Sequence, residues 1–191
     1  MARKIQAQME LTQKDVDLLM QNPAPEVRSK TAQKVSLQYQ GLISENERKI
    51  AEDIFRLIAN DVEIKVRQDL AESLKKCQSL PRDIVQKIID DVASVARPMI
   101  QYSDLLTEQD LIEIVKGHDE EKQIAVASRE KVPFRVSETL IEEASQKPVV
   151  VLVSNNLADI SDYAYQRLIE RFRDCEEIHR PLLMRSHVPV R

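Results

Sequence analysis

The chain has 191 residues, of which 42% are apolar and 31% charged, with a net charge of −4, two glycines, no tryptophan and 4% aromatics. That is enough for one ordinary domain or a short repeat array. The glycine count excludes a phosphate-cradling loop and disfavours tight hairpins, and the acidic balance argues against a dedicated nucleic-acid binder. No run approaches the 18 apolar residues a transmembrane helix needs. The opening "MARKIQAQMELTQ" has no apolar h-region, so no secretory signal is expected. Cys77 and Cys175 lack C-x-x-C spacing, which fits a reducing compartment without disulfides. A cytoplasmic location and no membrane contact are expected.

In chain order, the first elements repeat on a long count. "PEVRSKTA" at 25–32 is matched by "IKVRQDLA" at 64–71, so that Val27 and Val66, Arg28 and Arg67, and Ala32 and Ala71 stand 39 positions apart. The next step, Arg67 to Arg97 and Leu70 to Ile100, is 30. From residue 80 onward the count tightens to 26: Pro81, Thr107 and Pro133 each open a segment, and each suits a helix start. Ile88, Ile114 and Leu140 share a column, as do Ile89, Val115 and Ile141; Ser137 interrupts the column of Val85 and Leu111. Val85, Ile88, Ile89 and Val92 form the buried stripe of an amphipathic helix.

A second set of columns follows at the same offset: Ile100, Val126 and Leu152, beside Met99, Ala125 and Val151. The polar breaks "DDVAS", "GHDEE" and "SQK" between the sets have the length of helix–helix turns. Pro98 and Pro148 are expected near the start of the second helix, where a backbone N–H has no intrahelical partner. The last unit, "SDYAYQRLIERF" then "EEIHRPLLMRS", drifts by two, Leu140 to Leu168 being 28. The unit is helix A, turn, helix B. One pair cannot bury its stripe alone, so the expected fold is all-α, a right-handed superhelix of antiparallel helix pairs. It forms a single domain over 1–191, with long repeats over 11–75 and compact ones over 80–186. Pairs are expected near 11–40, 45–75, 81–103, 107–129, 133–155 and 161–185.

The "PEVR" and "IKVR" openings of helix B, each preceded by a polar turn, resemble HEAT repeat signatures. The stretch from about Leu11 to Pro189 is similar to a bacterial family known as domain of unknown function 2336. That likeness is carried by "LTQKDVDLLMQNPAPEVR", "AEDIFRLIANDVEIKVRQDLAESL", "LPRDIVQKIIDD" and "YSDLLTEQDLIEIV". The resemblance implies a HEAT-like α-solenoid and no known chemistry. The closing "HVPVR" copies "KVPFR", with Val188-Pro189 in the place of Val132-Pro133, so an open stack is expected at that end.

Candidate chemistry is sparse. Cys175 and His179 stand at i, i+4, half of a metal site on a helix, but the other ligands are missing and Cys175 reads better as a packing residue. His118, in the column of Val92 and Ala144, follows Gly117 and reads as a turn residue past a helix end. Asp119 to Glu121 reads as favourable charge at a helix N-terminus. Cys77, Ser103, Arg129 and Asn155, with Arg185 in the last unit, close successive B helices. The favoured reading of this column is C-capping; the functional reading is a ridge at one lip of the superhelix. Arg28, Arg67 and Arg97 recur at the starts of B helices and are expected to tie repeats together, through Asp61 and Asp91.

The expected function is a non-enzymatic protein-interaction scaffold without cofactor or metal. The alternatives are a nucleic-acid-binding protein of the HEAT-like DNA-glycosylase type, which wants a basic aromatic groove, and a homo-oligomerising module. Candidate partner-binding residues are Ser103, Arg129, Asn155, Leu183, Arg185 and Val188. Leu183 and Val188 belong to an apolar C-terminal repeat expected to contact a second copy or an external protein, whereas Leu168 and Ile169 are expected to face the preceding repeat.

Overall fold

The computed structural model describes residues 13–21, 24–41 and 44–185. These residues are all-α. The helices are α1 (Gln13–Met20), α2 (Pro25–Tyr39), α3 (Glu45–Ala59), α4 (Ile64–Leu74), α5 (Arg82–Ile89), α6 (Ala93–Tyr102), α7 (Glu108–Lys116), α8 (Glu120–Ala127), α9 (Phe134–Glu143), α10 (Gln146–Ser154), α11 (Asp162–Arg171) and α12 (Glu176–Leu183).

Local chemistry sets their starts. Pro81, Thr107 and Pro133 are the N-caps of α5, α7 and α9. At Thr107 the cap is reciprocal: the Thr107 hydroxyl accepts from the Asp110 N–H at 3.2 Å, and the Asp110 carboxylate accepts from the Thr107 N–H at 2.8 Å. Ser44, Asp119 and Ser161 accept from the N–H three residues on. Pro148 lies in the first turn of α10, as expected. Pro98 does not lie in a first turn: α6 already begins at Ala93, so this proline is inside the helix. The chain resumes helix directly after Asp91, whose carboxylate accepts from the Val92 N–H at 2.7 Å and so anchors the turn.

The contacts divide the chain into two compact units, Met1–Met99 and Ile100–Arg191. Within the first, α1 packs on α3 and α3 on α5, α2 packs on α4, and α3 lies against both α2 and α4. Within the second, α7 packs on α9 and α9 on α11, α8 packs on α10 and α10 on α12, with α7 against α8 and α9 against α10. Each of these helices thus packs on its sequence neighbour or on the helix after that. The column residues contribute to the cores: Leu70, together with Phe55, Ile58 and Leu74, in the first unit, and Val115, Val126, Leu140, Ile141 and Leu152 in the second, are all buried. An isolated parallel bridge joins Val132 to Ala158, residues 26 apart that occupy equivalent loops, and the Asp159 N–H donates to the Val132 carbonyl at 2.9 Å. No helix among the described residues is long and apolar enough to cross a membrane.

The last repeat departs from expectation at one residue. Leu168 is buried, but its neighbour Ile169 is 52% exposed and does not face the preceding repeat. Successive side chains of a helix point about 100° apart, and α9 covers the first of the two and not the second.

Candidate functional site

The column that closes the B helices is a chain of hydrogen bonds within the second unit. Carbonyls of a helix's last turn have no intrahelical donor. Arg129, just past α8, donates from one guanidinium nitrogen to the Ile100 carbonyl and from the other to the Ser103 carbonyl at 2.9 Å, at the end of α6. Asn155, past α10, donates its amide to the Ala127 and Arg129 carbonyls at 3.0 and 2.7 Å, at the end of α8. Arg185, past α12, donates to the Val153, Asn155 and Ala158 carbonyls at 3.2, 2.6 and 2.6 Å, at the end of α10. Each repeat therefore caps the helix of the repeat before it. Burial pulls the Arg129 guanidinium below its ordinary pKa, with Asp104 acting in the opposite direction. Its buried Nε has no partner.

These positions do not form an exposed ridge. Ser103 is fully buried, its hydroxyl accepting from the Leu105 N–H at 3.2 Å, so it presents nothing at the surface. Arg129, Asn155 and Arg185 are half-buried, with the two terminal guanidinium nitrogens of Arg129, the Asn155 amide and the Arg185 guanidinium engaged by backbone carbonyls. Cys77, the same column in the first unit, is buried with its thiol donating to the Ser79 carbonyl. Leu183 is 77% exposed. Val188 lies outside the described residues, as does His187.

The first unit is tied at the opposite ends of its B helices. Arg28, near the start of α2, pairs with Asp61 in the α3–α4 turn at 2.5 and 2.8 Å, both side chains under 10% exposed. Arg67, near the start of α4, pairs with Asp91 in the α5–α6 turn at 2.6 and 3.0 Å and also donates to the Asp61 carbonyl at 2.6 Å. These forked pairs match the planar guanidinium to the carboxylate. Burial pushes Asp61 and Asp91 up, but the hydrogen bonds from Arg28 and Arg67, those from the Glu63 and Val92 N–H groups, and the nearby positive charges together hold both carboxyls below the usual range. Arg97, the third of the series, is exposed.

Two open clefts flank the α3–α4 turn and share Asn60 and Asp61. One, of about 430 Å³, is lined by Arg67, Lys87, Asp90, Asp91 and Val92. The other, of about 320 Å³, is lined by Leu19, Met20, Arg28, Leu57 and Val62. The paired Arg and Asp side chains line these clefts, and exposed apolar side chains stand at their rims: Met20, Val62 at 87% and Val92 at 48%, the last not in the buried stripe expected for it with Val85, Ile88 and Ile89, because α5 ends at Ile89 and Val92 lies in the turn beyond. Sequence reasoning missed this edge. The signal was there, since Val62 and Val92 are 30 positions apart and each is an apolar residue in a polar turn.

The remaining candidates do not converge. Cys175 is the N-cap of α12, outside the helical turns, and His179 lies within that helix. Among the described residues no group of three metal-ligating side chains is assembled. His118 follows the C-cap Gly117 with φ of 56°, in the left-handed region, its N–H donating to the Val115 carbonyl at 3.2 Å. Asp119 caps α8, and Glu120 accepts from Ser145 and from Lys147 at 3.0 Å.

Compared with known families, residues 95–191, just over half of the chain, match the family described as "Uncharacterised protein conserved in bacteria (DUF2336)". The matched region begins beside the boundary of the second unit, and it includes "YSDLLTEQDLIEIV" but not the three N-terminal segments expected to carry the likeness. No curated protein and no solved structure matches.

Proposed function

Since the chain belongs to this bacterial family (DUF2336), whose description assigns no activity, we propose that it is a HEAT-like α-solenoid acting as a non-enzymatic scaffold for a protein partner. The observation that carries this reading is the edge of the first unit, where exposed Met20, Val62 and Val92 rim two clefts walled by fixed ion pairs. A rigid polar wall beside exposed apolar side chains is a surface that gains by covering. The column packing of each helix on its neighbours supports the solenoid. The rival nucleic-acid reading needs cations free to meet phosphates. Here Arg28, Arg67 and Arg129 are engaged with carboxylates or carbonyls.

The test compares the full chain with a Val62→Glu plus Val92→Glu variant as baits in bacterial cells that express the protein. A partner enriched in stoichiometric amount by the wild type and lost with the variant is expected. A wild type that enriches no protein beyond what the variant retains overturns the reading.

A further inference from the structure

The three residues that close the B helices of the second unit do more than cap helix ends, because each also supplies the acceptor for the next. Arg129 donates to the Ser103 carbonyl at 2.9 Å, Asn155 to the carbonyl of Arg129 itself at 2.7 Å, and Arg185 to the carbonyl of Asn155 itself at 2.6 Å. The backbone of each is set alike: the N–H groups of Arg129, Asn155 and Arg185 donate to the carbonyls three residues back at 3.2, 3.1 and 3.2 Å. The aim of the Arg129 fork therefore depends on a peptide that Asn155 holds, and the aim of Asn155 on a peptide that Arg185 holds. A second rail runs alongside. Arg185 also donates to the Ala158 carbonyl at 2.6 Å, and the next residue, Asp159, donates its N–H to the Val132 carbonyl at 2.9 Å, in the loop that Arg129 opens. The Asn155 side chain is fixed from its other end, its Oδ1 accepting from the Leu157 N–H at 3.1 Å.

We propose that loops 103–106, 129–132 and 155–159, with Arg185, form one strap, a conformational device by which the repeats of the second unit open together rather than one at a time. In a stack held only by contacts between neighbours, a change in one repeat is felt mainly by the next, and substitutions that share no partner add. A strap whose links position one another departs from both. Once one link is cut the others lose their aim, and cutting a second costs less. The strap lies wholly in the second unit and is independent of the scaffold reading, which rests on residues of the first.

The experiment is native-state amide exchange of α9 in the full chain, with Arg129→Met and Arg185→Met made singly and together. The two arginines share no hydrogen-bond partner, so independent action makes their fold-increases in exchange multiply. The double variant should fall short of that product by about fivefold or more. In an Asn155→Ala background the shortfall should shrink to about twofold or less. Gln146→Ala cuts the Gln146–Glu177 hydrogen bond between α10 and α12, outside the strap, and should leave the shortfall unchanged. Circular dichroism checks that each variant is folded; Arg129→Lys and Arg185→Lys, which keep the charge but not the fork, replace any that is not. Increases that multiply, a shortfall undiminished by Asn155→Ala, or one erased equally by Gln146→Ala overturns the proposal.

Discussion

The two units solve one problem with different chemistry. Helix pairs must be held in register, and apolar columns alone permit sliding. The first unit adds Arg–Asp forks at the starts of its B helices, Arg28 to Asp61 and Arg67 to Asp91. The second adds Arg129, Asn155 and Arg185 at the ends of its B helices, each donating to backbone carbonyls. The change can be followed along one column. On the 26-residue count Gly117 stands where Asp91 stood, and Gln123 stands where Arg97 stood. Gln123 is buried and donates to the Val115 carbonyl at 2.8 Å, within its own helix pair. With the carboxylate gone, the acceptor becomes a helix end, and the tie moves to the other edge. A carboxylate titrates in acid and a carbonyl does not, so the two units should respond differently to pH and to substitution.

The largest expected effect is at Arg129. Arg129→Ala removes two charged hydrogen bonds from a half-buried side chain and leaves helix-end carbonyls without donors. A loss of about 3 kcal/mol in denaturant unfolding is expected. Arg67→Met in the first unit should cost less, about 1–2 kcal/mol, because solvent reaches that pair. Equal losses would break the comparison.

Acid sharpens it. Asp61 and Asp91 have folded pKa values below the unfolded value of about 3.9. Their contribution is full well above that value and is lost as pH falls through the folded values. Amide exchange near pH 3 should therefore show α2 and α4 losing protection ahead of α8 and α10. In the second unit Glu120 is also held below its ordinary value, by Ser145 and Lys147, but it is at the surface and contributes little. Simultaneous loss in both units would count against carboxylate ties.

Two smaller effects probe the second unit alone. Ser137 occupies the column that Leu111 fills, is fully buried, and its hydroxyl has no partner. Ser137→Ala should stabilise by about 1 kcal/mol, read as a raised unfolding midpoint. His118→Gly should stabilise by about 0.5–1 kcal/mol, because the left-handed backbone strains any side chain there. An unchanged midpoint at His118→Gly would mean that the imidazole compensates for its own strain.

What the sequence determined by itself was what depends on near neighbours. Helix type and period follow from apolar spacing, and the starts at Pro81, Thr107 and Pro133 follow from cap chemistry within three or four residues. The Arg28–Asp61 and Arg67–Asp91 pairs were also legible, since one column meets one turn. The tertiary structure decided the rest. Pro98 proved to be inside α6 because an Asp91 side chain, not a proline, anchors that turn. Ser103 turned out buried and Arg129 engaged because the end of α8 lies against the end of α6, a juxtaposition no local pattern encodes. Leu168 and Ile169 are adjacent and equally apolar, and composition cannot tell them apart. Only the packing of α11 on α9 buries the first and leaves the second in water, because successive residues of a helix point about 100° apart.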